Sequence, residues 1–336
     1  MLKIEHGQSV NHTVGVIGAR GYVGAEIIRL IVNHPRLILS FASSRRLAGK
    51  PIAGNVTEAN TDLRFINVQP AHLHQYPTAD VYILALPNCL TNEYVTAIEE
   101  TISRGALIID MSADHRFHDS WTYGLPELDS QNTLCATNRI ANPGCYATAV
   151  ALALLPLADE GRLEGHVYVD AKSGVSGAGR AATATTHFCS AHDDVRPYKV
   201  GRSHRHVPEM EQTLRAAAGG GRCKLVFVPH LVPLERGMLA TCAVYGSGLD
   251  ESAAHELYRG RYRDEPFVEV LDAGGHARIR AVAHSNRAVI SLHSVEEDDL
   301  LIVACAIDNL GKGAAGQAVQ NANLLVGRPE TEGLRA

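Results

Sequence analysis

The fold turns on Thr13-Val14-Gly15-Val16-Ile17-Gly18-Ala19-Arg20-Gly21-Tyr22-Val23-Gly24. Residues 13–17 have the short apolar make-up of a buried strand, three glycines follow, and residues 25–32 form an amphipathic segment. Strand, glycine turn and helix, in that order, cradle a phosphate: Gly18 and Gly21 let the backbone approach a pyrophosphate, Gly24 permits close helix-to-strand packing, and the helix N-terminus faces the anion. The spacing is a variant of GxGxxG, and its weight comes from the correct context on both sides. Gly18, Arg20, Gly21, Tyr22, Val23 and Gly24 are therefore candidate nucleotide contacts.

Downstream, the pattern repeats. A second strand over 37–42 ends in Ser43-Ser44-Arg45-Arg46, with no Asp or Glu to hold a ribose 2′-hydroxyl. Two hydroxyls and two arginines suit a 2′-phosphate, which favours NADP over NAD. Residues 80–88 are a near-continuous apolar run closed by Pro87, as expected of a parallel strand buried on both faces, with its C-terminal end bordering the cofactor. A helix over 91–103 and a strand over 106–110 continue the alternation and predict a doubly wound α/β sheet. Ligands sit in loops after strand C-termini, so Arg116 is a candidate anion clamp.

Asn142-Pro143-Gly144-Cys145-Tyr146 then opens the apolar run 147–157. A cysteine in the first turn of a helix meets unpaired N–H groups, which favour thiolate and hence a nucleophile. Beyond it, a strand over 166–172 leads into a small-residue loop, 173–180, whose N–H groups and Ser176 suit an anion. His204, Arg205, His206 and Glu209 precede or open a helix over 207–218. A zinc cluster there lacks a third ligand, so an acid/base histidine beside cationic groups is the better account and no metal is expected. If that segment is extended, His204 and His206 project in the same general direction. Strands within 224–244, 287–293 and 300–307, with a helix over 251–261, predict an α+β second domain with a mostly antiparallel sheet of the kind that often forms dimer interfaces. The small-residue helix over 308–321 returns to the first domain, giving 1–144 with 309–336 as one domain and 145–308 as the other.

A chain of 336 residues, 46% hydrophobic and 20% charged, accommodates both. Its net charge of -5 gives no reason to expect a nucleic-acid or anionic-membrane partner. Seven cysteines without CxxC spacing read as thiols in a reducing compartment. No signal-type core and no run near the roughly 20 apolar residues of a membrane span is present, so the expected location is cytoplasmic.

Over nearly its whole length the sequence resembles the N-acetyl-γ-glutamyl-phosphate reductases of arginine biosynthesis, through residues 18–24, 43–45, 110–116, 123–128, 142–146, 172–180, 204–209, 229–238 and 309–321. It departs from the family pattern at His115, where an aromatic or apolar residue is usual. The resemblance implies a Rossmann-type dinucleotide-binding domain joined to a catalytic and dimerisation domain of the glyceraldehyde-phosphate dehydrogenase type, assembled as a homodimer or homotetramer. It implies NADPH-dependent reduction of an acyl phosphate, with Cys145 as nucleophile and His206 as acid/base. Arg116, Ser176, Arg180, His204 and Glu209 would then meet substrate, and Pro87, Ser173, Gly174 and Asn309 would join the cofactor contacts. Glu209 would either orient the histidine or meet the substrate's amide side. The chemistry fits: a thiolate converts a mixed anhydride to a thioester, phosphate leaves toward arginine, and N–H groups at the helix start hold the oxyanion. Reduction of a carrier-linked aminoadipyl phosphate or of aspartyl phosphate is the nearest rival, and a nucleotide-sensing regulator is a rival of another class, disfavoured because a sensor needs neither Cys145 nor its histidines.

Overall fold

A computed structural model describes residues 10–102, 105–128, 133–220 and 223–336. Ser103, expected as the end of a helix, lies outside them. The helices are α1 (Tyr22–Val32), α2 (Thr91–Thr101), α3 (Cys145–Asp159), α4 (Phe188–Ala191), α5 (His206–Ala217), α6 (Glu251–Arg261), α7 (Ile279–Val282) and α8 (Gly316–Leu325).

The first sheet contains β1 (His12–Ile17), β2 (Leu37–Ser43), β3 (Val81–Leu84), β4 (Leu107–Asp110), β5 (Thr122–Tyr123) and β6 (Arg139–Ala141), in the order β2-β1-β3-β4-β6-β5. Every pairing is parallel. All four residues of β3 are buried, as the apolar sequence requires of a strand covered on both faces. It stops at Leu84, short of the expected 88, because the chain turns away before Pro87, which has no N–H for a ladder. One face packs on α1 and on Ala315, Ala318, Val319 and Ala322 from the C-terminal segment, and the other on Val95 and Ile98 of α2.

The second sheet contains β7 (His166–Gly174), β8 (Arg196–Pro197), β9 (Lys224–Val232), β10 (Met238–Tyr245), β11 (Val268–Val270), β12 (Ala288–Val295) and β13 (Leu300–Ile307), ordered β11-β12-β13-β10-β7-β9-β8. It is mixed: β7 with β9 and β11 with β12 run parallel, and the remaining pairings are antiparallel. Helix α3 lies against its inner face and is buried from Tyr146 to Ala158, which explains a sequence apolar on every side. The outer face is covered over β12 and β13, where Ala277 and Val282 pack on Val289 and Ala306, and is open to solvent over β7 and β9, with Tyr168 43% and Val226 39% exposed.

The expected helix over 308–321 begins instead with a π-helical turn, Gly311–Ala315, before α8. Such turns widen a helix locally, and here Lys312 is carried wholly inside, where its Nζ donates to Glu127 Oε1 at 2.5 Å and Gln320 Oε1 at 2.7 Å. Replacing Lys312 by Met leaves the buried Glu127 carboxylate without its cation and is expected to cost about 3–5 kcal/mol. Thermal unfolding checks it: the melting temperature should fall for Lys312→Met and largely recover in the double variant Lys312→Met/Glu127→Gln.

Candidate active site

The glycine turn forms one wall of a cavity of about 590 Å³. Gly18 has φ +93°, a left-handed conformation open to glycine, and its N–H and that of Ala19 donate to Ser43 O at 3.1 and 2.9 Å. A Cβ on Gly24 would lie 2.7 Å from Gly18 O, so that glycine serves the packing of α1 on β1. Gly21 differs: a Cβ there would meet nothing nearer than Gly18 O at 3.9 Å. The fold does not demand that glycine, and the space before it belongs to the cavity.

Six arginines line the cavity, Arg20, Arg45, Arg46, Arg116, Arg180 and Arg205, with no Asp or Glu among its described residues. The wall therefore suits polyanionic ligands. Ser43 Oγ accepts from Val68 N–H at 3.0 Å and Ser44 Oγ from Leu47 N–H at 3.3 Å, which orients both hydroxyls at the end of β2 beside exposed Arg45. Arg180 donates to Arg20 O at 2.9 Å and lies 5.9 Å over the Tyr22 ring, so it borders the glycine turn. Pro87, Ser176 and Asn309 also line the cavity, and Asn309 bridges Ser176 Oγ, 2.9 Å, and Gly237 N–H, 2.6 Å.

At the other end of the cavity stands half-buried Cys145, first residue of α3. Its approach is fixed by long-range bonds: Asn142 N–H donates to Asp110 O at 2.8 Å, and Asn321 Nδ2 to Asn142 Oδ1 at 3.0 Å. The thiolate expected from the helix terminus is overruled. Burial is the largest influence and pushes the Cys145 thiol up to about 11, against the lowering effects of Tyr146 N–H and the Arg116 charge. His206 lies beside Gly144, where an added Cβ would collide with its ring. Its Nδ1 is buried without a partner among the described residues, and burial, then Arg116, hold the imidazole well below its ordinary pKa. Near neutral pH the free site thus pairs a neutral thiol with a neutral base.

Arg116 is buried and heavily engaged: Nε donates to Asn142 O at 2.9 Å, one terminal nitrogen to Glu209 Oε2 at 2.8 Å and the other to Met111 O at 3.1 Å. His115, the unusual residue before it, stacks on Trp121 at 4.0 Å and sits 2.6 Å from Asp110 Oδ2, bracing the turn that aims Arg116 inward.

Four expected contacts lie outside the cavity wall. Ser173 Oγ donates to Gly174 O, and Gly174 packs on the Arg236 backbone. His204 and His206 do not share an extended segment, since Arg205 is helical and His206 opens α5, but their rings still meet edge-on at 4.8 Å. His204 Nδ1 accepts His206 N–H at 3.2 Å, its ring packs edge-on to Tyr146 and Phe227, and burial, Lys199 and Arg205 bring its pKa to about 4. Glu209 is 3% exposed and bonded to protein groups alone among the described residues. Arg46 and Arg205, marked by the sequence only as the second arginine suited to a 2′-phosphate and as one of the cationic groups beside the histidines, also line the cavity. Both sat in stretches already flagged as basic, but a segment's sequence does not say which way each side chain points.

Among the described residues no helix is long and apolar enough to cross a membrane. Residues 13–135 match the family model described as semialdehyde dehydrogenase, NAD binding domain, and residues 145–309 the semialdehyde dehydrogenase, dimerisation domain. Among solved structures, the fold is shared with aspartate semialdehyde dehydrogenase II from Vibrio cholerae, TM-score 0.75 at 19% identity over 94% of this chain and 98% of that one. It is also shared with the Candida albicans enzyme solved with NADP, TM-score 0.68 at 15% identity over 94% and 98%. N-acetyl-gamma-glutamyl-phosphate reductases are far nearer in sequence: that of Halorhodospira halophila is 43% identical over 96% of this chain and 97% of its own, and that of Clostridium kluyveri 38% over 96% and 98%. At such identity over almost the full length of both partners, this chain belongs to the N-acetyl-gamma-glutamyl-phosphate reductase family.

Proposed function

We propose that this chain reduces N-acetyl-γ-glutamyl phosphate to N-acetylglutamate semialdehyde and phosphate in arginine biosynthesis, with NADPH as cofactor and a thioester on Cys145. The observation that carries the reading is a single arginine-lined cavity running from the glycine turn to Cys145. Bound NADPH supplies the hydride. His206, neutral in the free site, takes the Cys145 proton as sulfur attacks the acyl carbon, and the carbon–oxygen bond to phosphate breaks. Reduction of the thioester leaves a tetrahedral oxyanion on the former carbonyl; as its carbon–oxygen double bond re-forms the carbon–sulfur bond breaks, and His206 returns the proton it took to sulfur. Arg116 and Arg205 offer charge to the departing phosphate, whereas Gly144 N–H, already donated to Glu209 at 2.8 Å, leaves oxyanion binding to the N–H groups that follow it.

In this reading, residues 1–144 with 309–336 bind the cofactor, and 145–308 carry catalysis and assembly. The exposed part of the second sheet's outer face, around Tyr168 and Val226, supports a homodimer or homotetramer, and the thiols of Cys89, Cys145, Cys189, Cys223, Cys242 and Cys305 fit the cytoplasm. Ser43, Ser44 and Arg45 would hold the 2′-phosphate of NADP.

The test runs the reaction backwards. Phosphate-dependent reduction of NADP should proceed with N-acetylglutamate semialdehyde at a kcat/KM about 10²-fold above that with aspartate semialdehyde. The reverse preference would overturn the substrate. Arg45→Ala should raise the KM for NADP about tenfold or more while barely changing the weaker reaction with NAD, because only the 2′-phosphate loses a charged partner. Equal losses with both cofactors would assign Arg45 a structural role.

A further inference from the structure

We propose that Glu209 is a positioning residue for the reaction and not a substrate contact: its buried carboxylate ties the backbone of the nucleophile loop to the Arg116 guanidinium. The inference rests on the reading of Cys145 as nucleophile. Glu209 Oε1 accepts from Gly144 N–H at 2.8 Å and from the Tyr123 hydroxyl at 2.8 Å, and its Oε2 accepts from Arg116 at 2.8 Å. Arg116 in turn donates through Nε to Asn142 O at 2.9 Å. One ion pair therefore grips both residues that flank Pro143, immediately before Cys145. Because Glu209 lies three residues beyond His206 on α5, the same helix face sets the nucleophile loop and the base.

Two observations separate this role from the alternatives. The carboxylate does not line the cavity, and a negative group facing an anionic acyl phosphate would repel it. Nor does it orient the histidine: among the described residues the bonds of the Glu209 carboxylate go to Arg116, Tyr123 and Gly144, and His206 Nδ1 is buried with no partner. Three donors, one of them charged, satisfy both oxygens of a carboxylate removed from water.

The arrangement also has an electrical consequence. The groups acting on Cys145 are Arg116 from the loop after β4, Arg205 and Glu209 at the start of α5, Tyr198, and Tyr146 of its own helix, with the His206 ring beside the neighbouring Gly144 and Gly313 of the π-turn facing the Cys145 Cβ. Burial is the largest influence raising the thiol pKa; Arg116 lowers it and Glu209 raises it, so the ion pair offsets part of the cation's pull on the thiol.

Glu209→Gln is isosteric and keeps an acceptor for Gly144 N–H, but leaves Arg116 uncompensated. With the acyl phosphate, kcat should fall about 10²-fold with KM changed by less than about threefold. The pH midpoint for alkylation of Cys145 by iodoacetamide should move about one unit to the acid side. It is read by peptide mass spectrometry, because exposed Cys89 and Cys189 also react. Glu209→Asp keeps the charge on a shorter arm, so its alkylation midpoint should stay near that of the unaltered protein while kcat still falls. A rise in KM with kcat retained would make Glu209 a substrate contact, and unaltered kcat and alkylation would remove it from the mechanism. If Glu209→Gln does not fold, Glu209→Asp decides: an unaltered kcat overturns the proposal, and a lowered kcat with KM and midpoint retained supports it. Should the unaltered protein fail to turn over the acyl phosphate, the functional reading falls, while the alkylation shift still judges the role of Glu209.

Discussion

Cys145→Ser is expected to lose at least about 10⁴-fold in turnover while binding NADPH with unchanged affinity. A serine hydroxyl titrates far above any working pH, and the ester it would form is a poorer hydride acceptor than a thioester. The structure sharpens this expectation. Since burial holds even the thiol near 11, the site relies on removing the proton during attack, and a group harder still to deprotonate has no route. Cofactor binding measured by fluorescence titration, beside steady-state turnover, makes the check. Activity above a few per cent would end the thioester mechanism, and weakened NADPH binding would show that Cys145 supports the cofactor pocket.

His206→Asn should lower kcat by roughly 10²- to 10⁴-fold, the range for loss of an acid/base group. His204→Asn should behave differently. His204 does not line the cavity, and its Nδ1 accepts His206 N–H, so it acts through the placement of its neighbour. Asparagine offers a replacement acceptor there, and a loss of about tenfold in kcat with KM for the acyl phosphate unchanged is expected. The pH profile adds a signed expectation. Because burial and Arg116 depress the His206 pKa, the free site keeps its base neutral to well below pH 6.5, and kcat/KM should lose its acid limb only beneath that point. A rise in KM for His204→Asn would return it to the substrate, and near-normal kinetics for both variants would remove the pair from the mechanism.

What could be read from the chain alone is local in origin. Residues 13–24 announce strand, turn and helix because a buried strand and a phosphate-facing turn impose their demands within a dozen consecutive residues, and β1, Gly18 and α1 follow them. Cys145 was legible for the same reason: Pro143-Gly144 before an all-apolar run sets a helix start, and α3 begins at that residue. The protonation state was not. A helix terminus acts over one turn, whereas the desolvation that raises the thiol comes from elements far apart in the chain, including Gly313, where an added Cβ would lie 2.9 Å from the Cys145 Cβ. The same limit applies to charge pairs. Lys312 and Glu127 are separated by 185 residues, and Arg116 and Glu209 by 93, so no periodicity links them. His204 and Glu209 carry the right chemistry for substrate contacts, yet the packing of the helix that starts at His206 buries both and leaves neither on the cavity wall. Sequence determined which chemical groups are present and which local elements bear them; only tertiary packing decided which of those groups face the cavity, because exposure and electrostatic environment are sums over neighbours that the chain brings together from afar.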